Sequence, residues 1–97
     1  MKTLEEIKNI IAKYKKTLEQ VYMVKEIGIF GSYVRNEQHS KSDVDILVEF
    51  EEPVSLLKLV SLENFLKEIL KINLEVIPKK DLRKELKENI IKETIYI

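Results

Sequence analysis

Asp43-Val44-Asp45-Ile46-Leu47-Val48 constrains the fold more than any other stretch, because it sets two carboxylates into the opening of an apolar, β-branched run. Successive side chains alternate across a strand, so Asp43 and Asp45 share one face, about 6–7 Å apart along it. Val44, Ile46 and Val48 take the opposite face, into a core. Residues 44–50 therefore read as a strand with one buried side and one acidic side. An isolated Asp-x-Asp is more often a solvated strand edge than a site, since charged residues are mostly exposed. Other parts of the chain have to decide between the two.

The remainder of the 97 residues frames that strand. Leu4, Ile7, Ile11, Tyr14, Leu18 and Val21 recur at alternating steps of three and four, which predicts an amphipathic helix over 3–21. Thr3 and Glu6 make a capping-box pattern at its start. Residues 24–30 read as a strand stopped by Gly31. Ser32 opens a short helix over about 33–38, and 36–42 read as a polar loop in which Ser42 bonds the backbone. Beyond Pro53, residues 54–71 form a second long helix with a broad apolar face. Residues 72–77 are a third strand, ended by Pro78. Residues 79–95 read as charged helix in one or two pieces, with Leu82, Leu86, Ile90 and Ile91 facing inward. The order is αβαβαβα over one domain, 1–97, without repeat or linker.

Composition narrows the functions. Lys+Arg and Asp+Glu number 17 each, so the net charge is zero. A protein that coats a nucleic-acid backbone usually shows a basic excess, so the balance argues against direct nucleic-acid binding. There is no Cys, which excludes disulfides and thiolate metal sites. The first residues lack an apolar signal core, and no apolar run approaches a membrane span. The expectation is a soluble, cytoplasmic protein that does not engage a membrane.

Gly31-Ser32 changes the standing of the acidic pair. Glycine at a strand-to-helix turn lets the backbone approach a ligand, and a helix start offers N–H groups to a phosphate. The Ser32 hydroxyl adds a donor. Twelve residues separate Phe30 from Asp43, a polar connection that permits the two strands to pair antiparallel. The glycine-serine turn would then meet the acidic strand end. Glu75 sits inside the third strand, on the face opposite Leu74 and Val76. A lone mid-strand carboxylate needs a partner or a polar site. If the third strand lies beside the second, Asp43, Asp45 and Glu75 come together. Hard oxygen ligands of this kind suit Mg²⁺ or Mn²⁺, and three carboxylates can hold two ions that clamp an in-line displacement.

Gly31-Ser32-x10-Asp43-x-Asp45, within Ile-Phe-Gly-Ser-Tyr-Val-Arg…Ser-Asp-Val-Asp-Ile-Leu-Val-Glu-Phe, closely resembles the minimal nucleotidyltransferases of the DNA polymerase β superfamily. The likeness extends to Leu-Glu-Val-Ile-Pro at strand three and to the closing Ile-Ile-Lys-Glu-Thr-Ile-Tyr. It implies an α+β nucleotidyltransferase fold, a small mixed sheet flanked by helices. It implies transfer of a nucleoside monophosphate, AMP from ATP, with release of pyrophosphate. Ser32 would touch the terminal phosphates, and Asp43 and Asp45 would bind Mg²⁺. Such proteins often pair with HEPN-type toxins and act as antitoxins by adenylylating a tyrosine of the partner. Two departures stand out. Glu75 replaces the usual Asp, which makes turnover less secure than metal binding. Asn36 replaces a glycine, and Asn tolerates left-handed backbone.

Arg35, three residues past Ser32, is placed to contact the triphosphate, to brace the carboxylates, or to pair with Glu37 or Glu49. His39 reads as solvated. The Lys-rich end, in which Asp81, Glu85, Glu88 and Glu93 interleave, reads as a solvated helix. Ile10, Ile95, Tyr96 and Ile97 are candidates to protrude into a partner or a second copy. Two other functions stay open at this point: a catalytically weak binding module that neutralises its partner by contact, and nucleotidyl transfer to RNA or a small molecule.

Overall fold

The structure, a computed structural model, describes residues 2–39 and 43–97. Ser42, expected to fix the polar loop, lies outside them. The elements run α1 (Leu4–Lys13), α2 (Lys15–Tyr22), β1 (Val24–Phe30), a 3-10 turn (Gly31–Tyr33), β2 (Val44–Phe50), α3 (Leu56–Leu70), β3 (Leu74–Pro78), a 3-10 turn (Lys79–Asp81), α4 (Lys84–Glu93) and β4 (Ile95–Tyr96).

The capping box forms. The Glu6 N–H donates to Thr3 Oγ1 at 3.1 Å, and the Thr3 N–H donates to Glu6 Oε1 at 3.2 Å. That backbone donor holds the Glu6 carboxyl below its ordinary value, so its contribution is present at neutral pH and fades on acidification. Thr3→Ala should cost about 1 kcal/mol, measured by denaturant unfolding at pH 7. The expected single helix over 3–21 is two helices. At Tyr14 (φ −102°, ψ 11°) the chain leaves helical geometry, and its N–H donates to Ile11 O, a tightened turn. The Tyr14 ring stands edge-on to Phe65 of α3, with centroids 5.6 Å apart. The break re-phases α2, so Leu18 stays buried whereas Val21, expected on the buried stripe, is 52% exposed.

The sheet order is β3-β2-β1-β4. β1 and β2 pair antiparallel, as the polar connection permits, with Ile29 opposite Ile46 and Phe30 opposite Asp45. β3 lies parallel to β2, with Asp45 opposite Glu75. The crossover between them is α3, which supplies the length a parallel pairing needs. Strand alternation then separates two faces. Ile27, Ile29, Val44, Ile46, Val48, Leu74 and Val76 join Ile7, Ile11, Leu18, Leu62, Leu66 and Leu70 in the helix-covered core. The other face carries Phe30, Asp45, Leu47 and Glu75.

The end of the chain departs most from expectation. Residues 79–95 hold a 3-10 turn and α4, and the strand β4 that follows pairs antiparallel with β1. No side chain of α4 is buried, and Leu86 is 46% exposed rather than inward-facing. Ile90 and Ile91 are only half-buried. Ile10 and Ile97, candidates in the sequence for a partner contact, pack against the core instead. Gly28 makes room for the tail: a Cβ there would lie 2.5 Å from Thr94 Cγ2 and 2.9 Å from Ile95 O. Among the described residues, no helix is long and apolar enough to cross a membrane.

Candidate active site

β1 delivers Gly31 to the head of β2. Phe30 pairs with Asp45, so the next residue must turn away beside the Asp45 side chain. Gly31 does so with φ +83°, in the left-handed region. A Cβ at Gly31 would lie 2.1 Å from Asp45 Oδ2, which no side-chain carbon can tolerate. Glycine is thus required twice, by backbone conformation and by the carboxylate that presses on it. The Gly31 carbonyl accepts from the N–H groups of Val34 and Arg35, closing one 3-10 turn in place of the longer helix expected over 33–38. Asn36 takes φ 60°, the left-handed geometry its presence allowed. Ser32 is half-buried at the turn, and its carbonyl accepts the Glu37 N–H.

Three carboxylates crowd this end of the sheet. Asp45 and Glu75 are direct neighbours across the parallel strands, and Asp43 stands exposed one residue before β2. Burial pushes the Asp45 carboxyl above the usual carboxylate range, and the charges of Glu75, Asp43 and Glu93 push it further, against Arg35. The three do not close into a ready-made cage. Among the described residues, no three His, Cys, Asp or Glu side chains stand close enough to hold an ion by themselves. This donor set suits a hard divalent cation that takes one or two carboxylates and completes its shell from water and substrate phosphate, which is how Mg²⁺ is usually held.

Arg35 pairs with two acids. Its Nε donates to Glu37 Oε1 and its Nη1 to Glu93 Oε1, each at 2.8 Å. Glu37 first and then Glu93 hold the guanidinium charged even more firmly than usual. Glu49, the other partner considered, lies 3.9 Å from Lys79 instead. His39 is exposed, in the coil after the turn.

Glu93 is the residue that sequence reasoning missed. Charge alternation places it on a solvated helix, a reading that fits Glu88, paired with Lys92 at 3.2 Å and 81% exposed. Glu93 is 22% exposed and accepts the Gly31 N–H at 2.8 Å through Oε2. Its signals were its place in the closing Ile-Ile-Lys-Glu-Thr-Ile-Tyr run that carries the family resemblance and the apolar Ile95-Tyr96-Ile97, short for a core segment but enough to pair with an edge.

The chain matches the model of the nucleotidyltransferase domain over residues 6–97, and it belongs to that family. It is 51% identical, across the whole of both chains, to a protein of Methanocaldococcus jannaschii assigned as a protein adenylyltransferase. It is 44% identical to the protein adenylyltransferase MntA of Thermococcus cleftensis, over all of this chain and 98% of the relative. Among solved structures it resembles a minimal nucleotidyltransferase with TM-score 0.75 and 27% identity, covering 92% of this chain and 93% of the other. A toxin–antitoxin complex with AMP-PNP shares the fold at TM-score 0.74 and 22% identity, covering 91% of this chain and 69% of the other.

Proposed function

We propose that this nucleotidyltransferase moves AMP from ATP to a protein hydroxyl, in the service of an antitoxin that silences a HEPN-type toxin. The observation that carries the reading is the Gly31 turn pressed against Asp45, with Glu75 beside it, at one end of the sheet. Relatives named as protein adenylyltransferases and a like fold in toxin–antitoxin complexes support the acceptor and the partner. Asp43, Asp45 and Glu75 would hold Mg²⁺, or Mn²⁺, where it would screen the triphosphate and polarise the reacting phosphate. Two ions fit three carboxylates if phosphate oxygens share the coordination.

In this scheme Ser32 and Arg35 bind the terminal phosphates. The acceptor oxygen, a tyrosine hydroxyl, attacks the α-phosphorus of ATP in line. The bond to the α–β bridging oxygen breaks, pyrophosphate leaves, and Glu75 takes the hydroxyl proton. Longer by one methylene than Asp, Glu75 reaches farther from the strand toward that oxygen.

Incubation of the folded protein with labelled ATP, Mg²⁺ and the product of its neighbouring gene tests this. Label is expected on a tyrosine of the partner. Absence of transfer to that partner would count against protein adenylylation. If Asp43→Ala with Asp45→Ala still neutralises the partner, contact alone is the mechanism. Label on RNA or a small alcohol instead would move the acceptor to another class.

A further inference from the structure

We propose that Glu93 is a positioning residue for nucleotide binding: its carboxylate ties the Gly31 turn to Arg35 and so aims Ser32 and the guanidinium at the triphosphate. The inference rests on the reading above that this turn and Arg35 receive phosphates.

Both Glu93 oxygens are engaged. Oε2 accepts the Gly31 N–H and Oε1 accepts Arg35 Nη1, at 2.8 Å each. The Arg35 N–H donates to Gly31 O at 3.1 Å, so Gly31, Arg35 and Glu93 form a closed ring of hydrogen bonds. Ser32 lies inside that ring in sequence. Glycine populates left- and right-handed φ about equally, so an outside restraint has to select the left-handed conformation that Gly31 holds in this turn. Glu93 is that restraint on the N–H side.

The backbone of Glu93 is itself indexed to β1. Thr94 packs against Gly28, Ile95 pairs with Ile29, and Tyr96 pairs with Gly28. The Ile97 N–H adds a bond to Ile27 O at 2.9 Å. The strand that ends in the glycine-serine turn thus also fixes the residue that clamps the turn. A surface glutamate has no need of this arrangement, as Glu88 on the same helix shows by its exposure. A carboxylate added to an already acidic site is unfavourable unless its two donors repay it, and here both donors belong to the proposed phosphate-binding segment.

Glu93→Gln keeps the shape but can accept through one oxygen only, so one of the two charge-assisted bonds is lost. The expected result is a rise of about tenfold in KM for ATP at saturating Mg²⁺. The value of kcat should change by about twofold at most, and the thermal midpoint little. Gly31 amide exchange, followed by NMR without nucleotide, should accelerate. Arg35→Gln should weaken binding as well, and the double variant should lose less than the sum of the single losses. An unchanged KM with a lowered midpoint would make Glu93 a structural residue only and overturn the proposal. Tighter ATP binding by Glu93→Gln would also overturn it, because the carboxylate would then compete with phosphate. Additive losses would show that Glu93 does not act through Arg35. Wild-type protein that binds no ATP analogue would remove the functional reading and the inference together. The Gly31 exchange rates would still report in that case whether the clamp exists.

Discussion

Asp45→Asn is expected to abolish nucleotidyl transfer and, in metal-free buffer, to raise the thermal midpoint. The two effects share one cause. Asp45 is half-buried and faces Glu75 across the parallel strands, with Asp43 two residues back and Glu93 nearby. Desolvation and these like charges oppose its ionised form, and Arg35 offsets them only in part. A carboxyl whose folded pKa is raised binds more protons folded than unfolded between its ordinary and raised values. Stability therefore falls as pH rises through that window, and above it the wild-type protein carries the whole penalty. Asparagine removes it while keeping the shape. It also removes the anionic oxygen proposed to bind the metal, so transfer should drop by a hundredfold to a thousandfold or more, on the order seen when a key electrostatic group is lost. Calorimetry in chelator and labelled-ATP transfer read the two arms. A variant that is both less stable and still active would contradict the role assigned to Asp45.

Gly31→Ala should damage the same site from the other side. The new methyl would sit 2.1 Å from Asp45 Oδ2, on backbone at φ +83°. Left-handed geometry costs a non-glycine residue roughly 1–2 kcal/mol. The Asp45 carboxylate can escape the methyl only by swinging about its side-chain torsions, out of the orientation proposed to hold the metal, and Asp45 Cβ at 3.3 Å leaves the turn little room besides. Either the turn or the carboxylate must move by about an ångström or more. Misplacement on that scale costs on the order of a hundredfold in rate. The variant should fold with a lowered midpoint and show at most about one per cent of wild-type transfer. A folded variant with wild-type turnover would mean that the close approach of Gly31 to Asp45 has no part in the chemistry.

The sheet and the heart of the site were legible because short-range rules govern them. Alternation in 44–50 divided Asp45 from Val44 and Ile46, and the polar connection before Asp43 brought β1 and β2 together antiparallel. The apolar setting of Glu75 marked it as needing a reason, and the register places it opposite Asp45. What escaped depends on long-range packing. Periodicity carries straight through Tyr14, yet the chain breaks there against Phe65, a contact between residues far apart in sequence. β4 has two residues, too few for any alternation to register. Glu93 looks like its neighbours on a Lys-Glu helix, and only the docking of that tail on Gly28 turns it toward Gly31. Arg35 lay between: its pairing with Glu37 was within local reach, whereas Glu93 was not.

The weak anchorage of α4 bears on how the molecule opens. A helix with no buried side chain has little apolar surface to hold it down, and such segments detach in local fluctuations well below the free energy of global unfolding. When this one lifts, Glu93 leaves with it, and the glycine turn loses its restraint. Affinity for a ligand that needs the restrained turn is therefore linked to the opening equilibrium of the tail. If the turn receives phosphate as proposed, affinity for nucleotide and the foldedness of the final helix become two readings of a single free energy.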